Sequence, residues 1–311
     1  MILISALFIV ALLGYLAQTI GLCLVRGIKE LKDGNPLFLS AILLSGVFAW
    51  VYAALAYALD MPVQFKTYTA SGWFALGGFL FGLGTAFNQG CGVSTLSKLA
   101  RGDLKMIATI IGWLAGWAML GAWQPDMNIV TATKPTNQTY GILAATSAAL
   151  VIWTLFGDKE RKKLWFSMMA IGLLASCLFL YEPQWTPSGL LHGISTAMFE
   201  QNTPQWPSIE RYLIFVALLG GMFLAAWRTQ RFEFVKSNWQ QWTAHILAGS
   251  LMGIGASLAL GGNDSQLLLA LPTFSSAGIV TVIAMLLGIW LGLMMRAKML
   301  AVKNKNLDKE R

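Results

Sequence analysis

The sequence predicts an all-α polytopic membrane protein of about nine transmembrane helices, joined by short linkers and supplemented by short re-entrant helices. Composition, the length of the apolar stretches and the placement of basic residues carry that prediction. Hydrophobic residues make up 56% of the 311 residues and charged residues 12%, well under the roughly one-quarter charged residues of a soluble domain. The apolar stretches match the ~20 helical residues that cross about 30 Å of hydrocarbon. Alternation of the barrel-strand kind is absent, so the backbone groups are satisfied within helices.

In chain order the predicted spans are Ile2 to Val25, Leu37 to Leu59, Ser71 to Asn88, Leu104 to Trp123, Tyr140 to Phe156, Leu164 to Tyr181, Tyr212 to Trp227, Thr243 to Leu260 and Ser276 to Met295. The first lacks a basic n-region and a small-residue cleavage site, so it reads as a retained span and not a signal peptide. Pro187 to Gln201 is too short to cross and reads as an interfacial or re-entrant helix, with His192 an interface residue. Residues 1–295 form a single transport domain, and 296–311 a basic tail.

A formal charge of +8 does not indicate nucleic acid here, because the basic residues cluster between spans. With the N-terminus outside, 19 Lys and Arg fall on the inner side, in groups such as Arg26, Lys29 and Lys32 or Lys98, Arg101 and Lys105, and only Lys66, Lys134 and Arg211 fall outside. The positive-inside rule then sets an odd number of spans and a cytoplasmic C-terminus, as in a bacterial inner-membrane protein. The outer linkers collect Trp123, Trp185 and Trp206, which anchor helix ends among lipid headgroups.

A weak internal repeat adds organisation. The stretch Gly82 to Cys91 aligns with Gly253 to Gly262 at an offset of 171, and each is followed by a short apolar segment, Val93 to Ala100 or Ser265 to Leu271, and then a full helix. The repeat cores span about 71–121 and 243–295. By the charge bias they enter the membrane from opposite sides, the inverted arrangement of many transporters.

Irregular backbone at membrane depth is tolerated where it lines a cavity, so the breaks are candidate walls of a substrate path. In the first these residues are Asn88, Gln89, Gly90, Cys91 and Gly92; in the second they are Gly261, Gly262, Asn263 and Asp264. A following half-helix presents free N–H groups to an anion, while Ser94 or Thr95 could cap it. Cys91 offers a weak hydrogen bond and a polarizable sulfur. Cys23 lies near the end of the first span, where packing is the simpler reading, and Cys177 sits mid-span as a small apolar residue. Asp264 is a functional acid or a helix cap. His245, at the start of a span, is a weaker candidate for proton transfer. Three cysteines without a CxxC pair suggest no disulfide framework, and neither a cofactor nor a metal site is expected.

At Gly90-Cys91-Gly92 and its flanks the chain resembles the YeeE/YedE family of inner-membrane proteins, which includes thiosulfate uptake transporters, and the resemblance runs from the Gln18 to Cys23 segment to the second glycine-rich repeat. It implies nine spans, an hourglass-like bundle, and a route lined by Cys91 and Cys23 for a small sulfur-containing anion, most simply thiosulfate. The implied partners are that anion, membrane lipid and a cytosolic sulfur-handling protein. The chain departs from the family where a third cysteine is expected and Gly261-Gly262-Asn263-Asp264 stands instead, which leaves another sulfur species open. A membrane sulfur-transfer or redox component is the competing class; against it, the chain has no paired haem-type histidines and no soluble catalytic domain, so an enzyme is not expected. It also has no ATP-binding P-loop.

The charge bias makes a direct prediction. A cysteine introduced at Lys163 is labelled by an impermeant thiol reagent only from the cytoplasmic side, and one at Gln124 only from outside; the reverse pattern refutes the orientation.

Overall fold

The computed structural model describes residues 2–61, 67–123, 125–127, 129–132, 135–200 and 204–309, which leaves Lys66, Gln124, Lys134 and Gln201 outside the described residues. Helix α1 (Ile2–Ile20) is followed by the short α2 (Leu24–Lys32). Next come α3 (Leu37–Leu43), a 3-10 turn at Ser45–Phe48 and α4 (Ala49–Ala58). The first glycine-rich unit comprises α5 (Gly72–Asn88), α6 (Gly92–Ala100) and α7 (Met106–Trp123). Helices α8 (Asn137–Leu155), α9 (Lys159–Tyr181), α10 (Pro187–Phe199) and α11 (Ile209–Arg228) lead to the second unit. That unit holds α12 (Trp239–Leu258), the one-turn α13 (Asn263–Ser265) continued by a π turn at Gln266–Ala270, and α14 (Ser276–Lys309). Among the described residues there is no sheet, only an isolated bridge between Tyr68 and Thr131.

Seven helical stretches are long and apolar enough to cross a membrane, and an eighth joins them if α12 and Asn263–Ala270, bent by 44°, count as one span. The protein is therefore a multi-pass membrane bundle, with α5 shorter than these spans at 17 residues. Several expected boundaries are corrected. Ile2 to Val25 is not one unbroken helix: Gly21 takes a left-handed φ of 68° and ends α1 before Cys23. Leu37 to Leu59 is split by the 3-10 turn, and the basic segment after Met295 continues α14 as helix through Lys309. The segment expected to be interfacial or re-entrant forms α10, Pro187–Phe199. Its face of Pro187, Ser188, Leu190, Leu191, Ser195 and Ala197 is buried, and it packs on α7 and α13.

Glycine faces set the core packing. A Cβ on Gly84 would meet Ala248 O and Met252, and one on Gly255 would meet Gly77 O and Phe81. Higher numbers on α5 thus pair with lower numbers on α12, and the two helices run antiparallel. Gly78 approaches Thr281 O and Gly82 approaches Met285 O, so α5 runs parallel to α14. Gly112 approaches Ile246 O and Gly116 approaches Ser250 O, so α7 runs parallel to α12. Small residues allow such close backbone approach in membrane helices, where dispersion, not water exclusion, holds the pair. A second layer packs α1 on α11 and α9 on α3, the 3-10 turn and α4.

Because the obstacle at Gly253 is the backbone of Trp113 and Gly116, a side chain there cannot be accommodated by a rotamer change. Gly253→Val should cost about 1–3 kcal/mol or more and lower the thermal unfolding midpoint in detergent. Gly220→Val, where a Cβ meets open space, should leave it nearly unchanged.

Candidate functional site

Both glycine-rich units break in the same manner. Helix α5 ends at Gln89 with φ 58° and α12 at Leu260 with φ 55°. In the first, Gln89 N–H donates to Ala86 O and Gly90 N–H to Thr85 O, at 3.1 and 3.0 Å. In the second, Leu260 N–H donates to Ser257 O and Gly261 N–H to Ala256 O, at 3.2 and 2.8 Å. These are paired left-handed terminations that satisfy the last carbonyls and turn the chain sharply. Gly261, at φ 156°, completes the second turn.

The breaks meet. Gly92 N–H, at the start of α6, donates to Asn263 Oδ1 at the start of α13, 3.1 Å away. The indole of Trp113 lies against both Gly92 and Gly262, so neither position has room for a side chain. Around this contact is a cavity of about 50 Å³, lined by Leu24, Cys91, Pro187, Asn263 and Asp264 and walled by Leu13, Ile42, Leu218 and Met222. The first four are the N-terminal residues of α2, α6, α10 and α13. Four helices therefore begin at one buried space, where the amides of Gly92, Ser188 and Ser265 are taken by Asn263 and Asp264.

The thiols occupy two of those ends. Cys23 is the N-cap of α2 and Cys91 the N-cap of α6, neither accepting a side-chain capping bond from its helix. Both are free thiols. The two thiols are neighbours, and Ser94 Oγ–H donates to Cys91 Sγ at 3.6 Å. Ser94 and Thr95 do not cap α6: both hydroxyls donate to Cys91 O, at 3.1 and 3.0 Å. Cys177 lies on α9, away from this cluster.

Asp264 holds the other two ends. Its carboxylate accepts Ser188 N–H at 3.0 Å, Ser188 Oγ–H at 2.5 Å and Ser265 N–H at 2.9 Å. It thus accepts an N-terminal amide of α10 as well as one from its own short helix, in which it is the second residue and not the N-cap. Ser188 and Ser265 lie 2.9 Å apart and face a second cavity of about 320 Å³ lined also by Trp117, Thr186, Gly189, His192, Gly261 and Gln266. The His192 ring is tilted by 46° against Trp117, with ring centroids 4.8 Å apart. The serine–aspartate cluster separates the two cavities.

Of the residues singled out from sequence, Cys91, Asn263 and Asp264 line the small cavity and Gly261 the larger one. Asn88, Gln89, Gly90, Gly92, Gly262 and Cys23 line neither. Asn88 turns into the protein: its amide donates to Gly90 O and Thr95 Oγ1, at 2.8 and 2.7 Å, and its carbonyl accepts Thr109 Oγ1–H at 2.7 Å and faces His245 Nδ1 at 2.8 Å. His245 is thus a buried scaffold partner. Gln89 is exposed, and its carbonyl accepts from Lys98 Nζ at 2.9 Å. Ser188 and Trp113 escaped the sequence reading. Thr186-Pro187-Ser188 does carry a signal, an N-cap threonine and a proline at the first helical position, but nothing local indicates that it meets Asp264. No group of three or more His, Cys, Asp or Glu able to hold a metal occurs among the described residues.

Comparison with known proteins identifies the family. A family model described as sulphur transport matches the chain twice, over residues 22–165 and 154–291. The chain is also similar to the thiosulfate transporter TsuA of Escherichia coli (strain K12), with 22% identity and 92% of each chain covered.

The Asn88 hub predicts a stability effect. Asn88→Leu removes the bonds to Gly90 O, Thr95, Thr109 and His245, at about 0.5–1.5 kcal/mol each, while Thr95 keeps Cys91 O and Thr109 keeps His245 Nδ1 at 3.3 Å. The unfolding midpoint of purified protein should fall by several degrees, whereas a change within error means that water replaces the network.

Proposed function

Since the chain belongs to the sulphur transport (YeeE/YedE) family, we propose that it carries a small sulfur-containing anion, with thiosulfate the first candidate, through a central path that runs past Cys91 and Cys23. The observation that carries this reading is the convergence of four helix N-termini on one cavity lined by Cys91, with Cys23 its neighbour at the start of α2. Aligned amides and the helix dipole favour an anion at such ends. A bare ion would cost on the order of tens of kcal/mol to bury, so donors along the path must replace whatever part of its hydration shell it sheds. A thiol donates to the terminal sulfur of thiosulfate while amides offset the charge.

The packing supports an inverted repeat of α5–α7 and α12–α14, within a single transport domain over residues 1–295. Residues 171 apart exchange roles across the α5–α12 contact: Gly84 meets Ala248 as Gly255 meets Gly77. Equivalent helices that run antiparallel are related by a two-fold axis perpendicular to them, in the membrane plane. Counting α5 and the bent second-unit helix as spans gives nine, and the paired cavities give the bundle an hourglass form. With the basic turns cytoplasmic, the larger cavity opens outward, the thiols lie on the inner side of the constriction, and the site is that of an inner-membrane importer. The Asn263-Asp264 pair in place of a cysteine is what keeps other sulfur species in competition with thiosulfate.

Uptake of sulfur-35 thiosulfate into liposomes tests the path. Cys91→Ala should reduce the rate at least tenfold at matched protein abundance, and Cys177→Ala should leave it within twofold. Equal losses in the two variants refute the thiol-lined path, and uptake of another sulfur anion by the parent in place of thiosulfate reassigns the substrate.

A further inference from the structure

Asp264 presents a physical problem. A carboxylate at membrane depth is costly unless compensated, and among the described residues the ion pairs are Arg26–Glu30 and Lys105–Asp103, neither of which involves it. It is compensated by three hydrogen bonds, two from Ser188 and one from Ser265. Capping does not require it. Helix α10 already has Thr186, whose hydroxyl accepts Gly189 N–H at 3.2 Å, and a neutral Asn or Ser would serve α13 as well as an acid.

Its location gives the acid a different meaning. Ser188 and Ser265 line the larger cavity, whereas Asp264 lines the small one beside Cys91. The carboxylate therefore sits in the wall between them and takes donors that an anion crossing that wall would meet. Resting on the transport reading above, we propose that Asp264 is a tethered anion that latches α10 to α13 and keeps the path closed until a mobile anion competes for Ser188 and Ser265. A solute that cannot replace a carboxylate on those donors, such as a neutral molecule or a cation, leaves the latch shut. Asp264 is thus a specificity-determining residue whose charge, not only its shape, sets passage.

The test reads Cys91, which lies behind the latch, and so does not depend on which anion is carried. Membrane vesicles of each orientation are treated at pH 7 with two impermeant methanethiosulfonates, the anionic sulfonatoethyl and the cationic trimethylammonium-ethyl reagents, and modification of Cys91 is followed by peptide mass spectrometry. In one orientation Asp264→Asn should accelerate the anionic reagent at least fivefold while the cationic reagent is unchanged or slower. Asp264→Ser should do the same, and it provides the measurement if Asp264→Asn fails to insert. Unchanged rates in both orientations overturn the latch, and equal acceleration of both reagents overturns it in favour of lost packing. Thiosulfate uptake by the parent, measured on the same vesicles, reports separately on transport itself.

Discussion

A helix that stops inside hydrocarbon leaves amides without partners, and water is not there to take them. The rest of this structure is organised around that constraint. Four short helices begin at the central cavity, and their ends are met in two chemically different ways. At α10 and α13 the amides find oxygen acceptors, Thr186 and Asp264. At α2 and α6 the N-caps are thiols, and one amide is taken by Asn263 across the break. Sulfur is the weaker acceptor, so on the proposed path the thiol-capped pair is the side left to an anion. A gradient from a satisfied, closed side to an unsatisfied side follows from the caps alone.

Such a site requires exact placement of the breaks, and the glycine faces supply it. One residue of helical slip moves a backbone by about 1.5 Å, enough to break the contact between Gly92 and Asn263. Slip is blocked because Gly78, Gly82, Gly112 and Gly253 each lie directly against a carbonyl of the neighbouring helix. The polar hub at Asn88 adds a second restraint, since it ties the end of α5 to α6, α7 and α12 through Thr95, Thr109 and His245. Rigidity around the break is thus built from backbone approach and one saturated amide, while the cavity itself keeps groups free to bind.

What the sequence made legible follows from what is local. Span length, the glycine punctuation at Gly90 and Gly261, and the half-helix after each break are properties of consecutive residues, and α6 and the Asn263–Ala270 segment lie where they were expected. Asn88 had been placed in the path because it is polar and adjacent to the break; its orientation inward depends on Thr109 and on His245, 157 residues away. Ser188 was unreadable for the same reason, since its partner Asp264 is 76 residues distant. For Cys23 the spacing alone favours packing, and only the family resemblance places it on the route. The break before it rests on a single left-handed glycine, Gly21, a weaker mark than the clusters at the other breaks.

The equivalences at an offset of 171 separate scaffold from chemistry. Positions that set geometry are kept in both units: Gly82 with Gly253, Gly84 with Gly255, Gly90 with Gly261. Other positions at the breaks are not. Asn88 stands opposite Ala259, Cys91 opposite Gly262, Gly92 opposite Asn263 and Val93 opposite Asp264. On the proposed repeat, a symmetric frame therefore carries an asymmetric lining, and the asymmetry has a steric reason at one point. Gly92 and Asn263 are equivalent positions that touch each other, so one must be small for the other to bear a side chain. Duplicating the frame fixes where the two halves meet, and divergence at the meeting point allows one face to hold thiols and the other an acid.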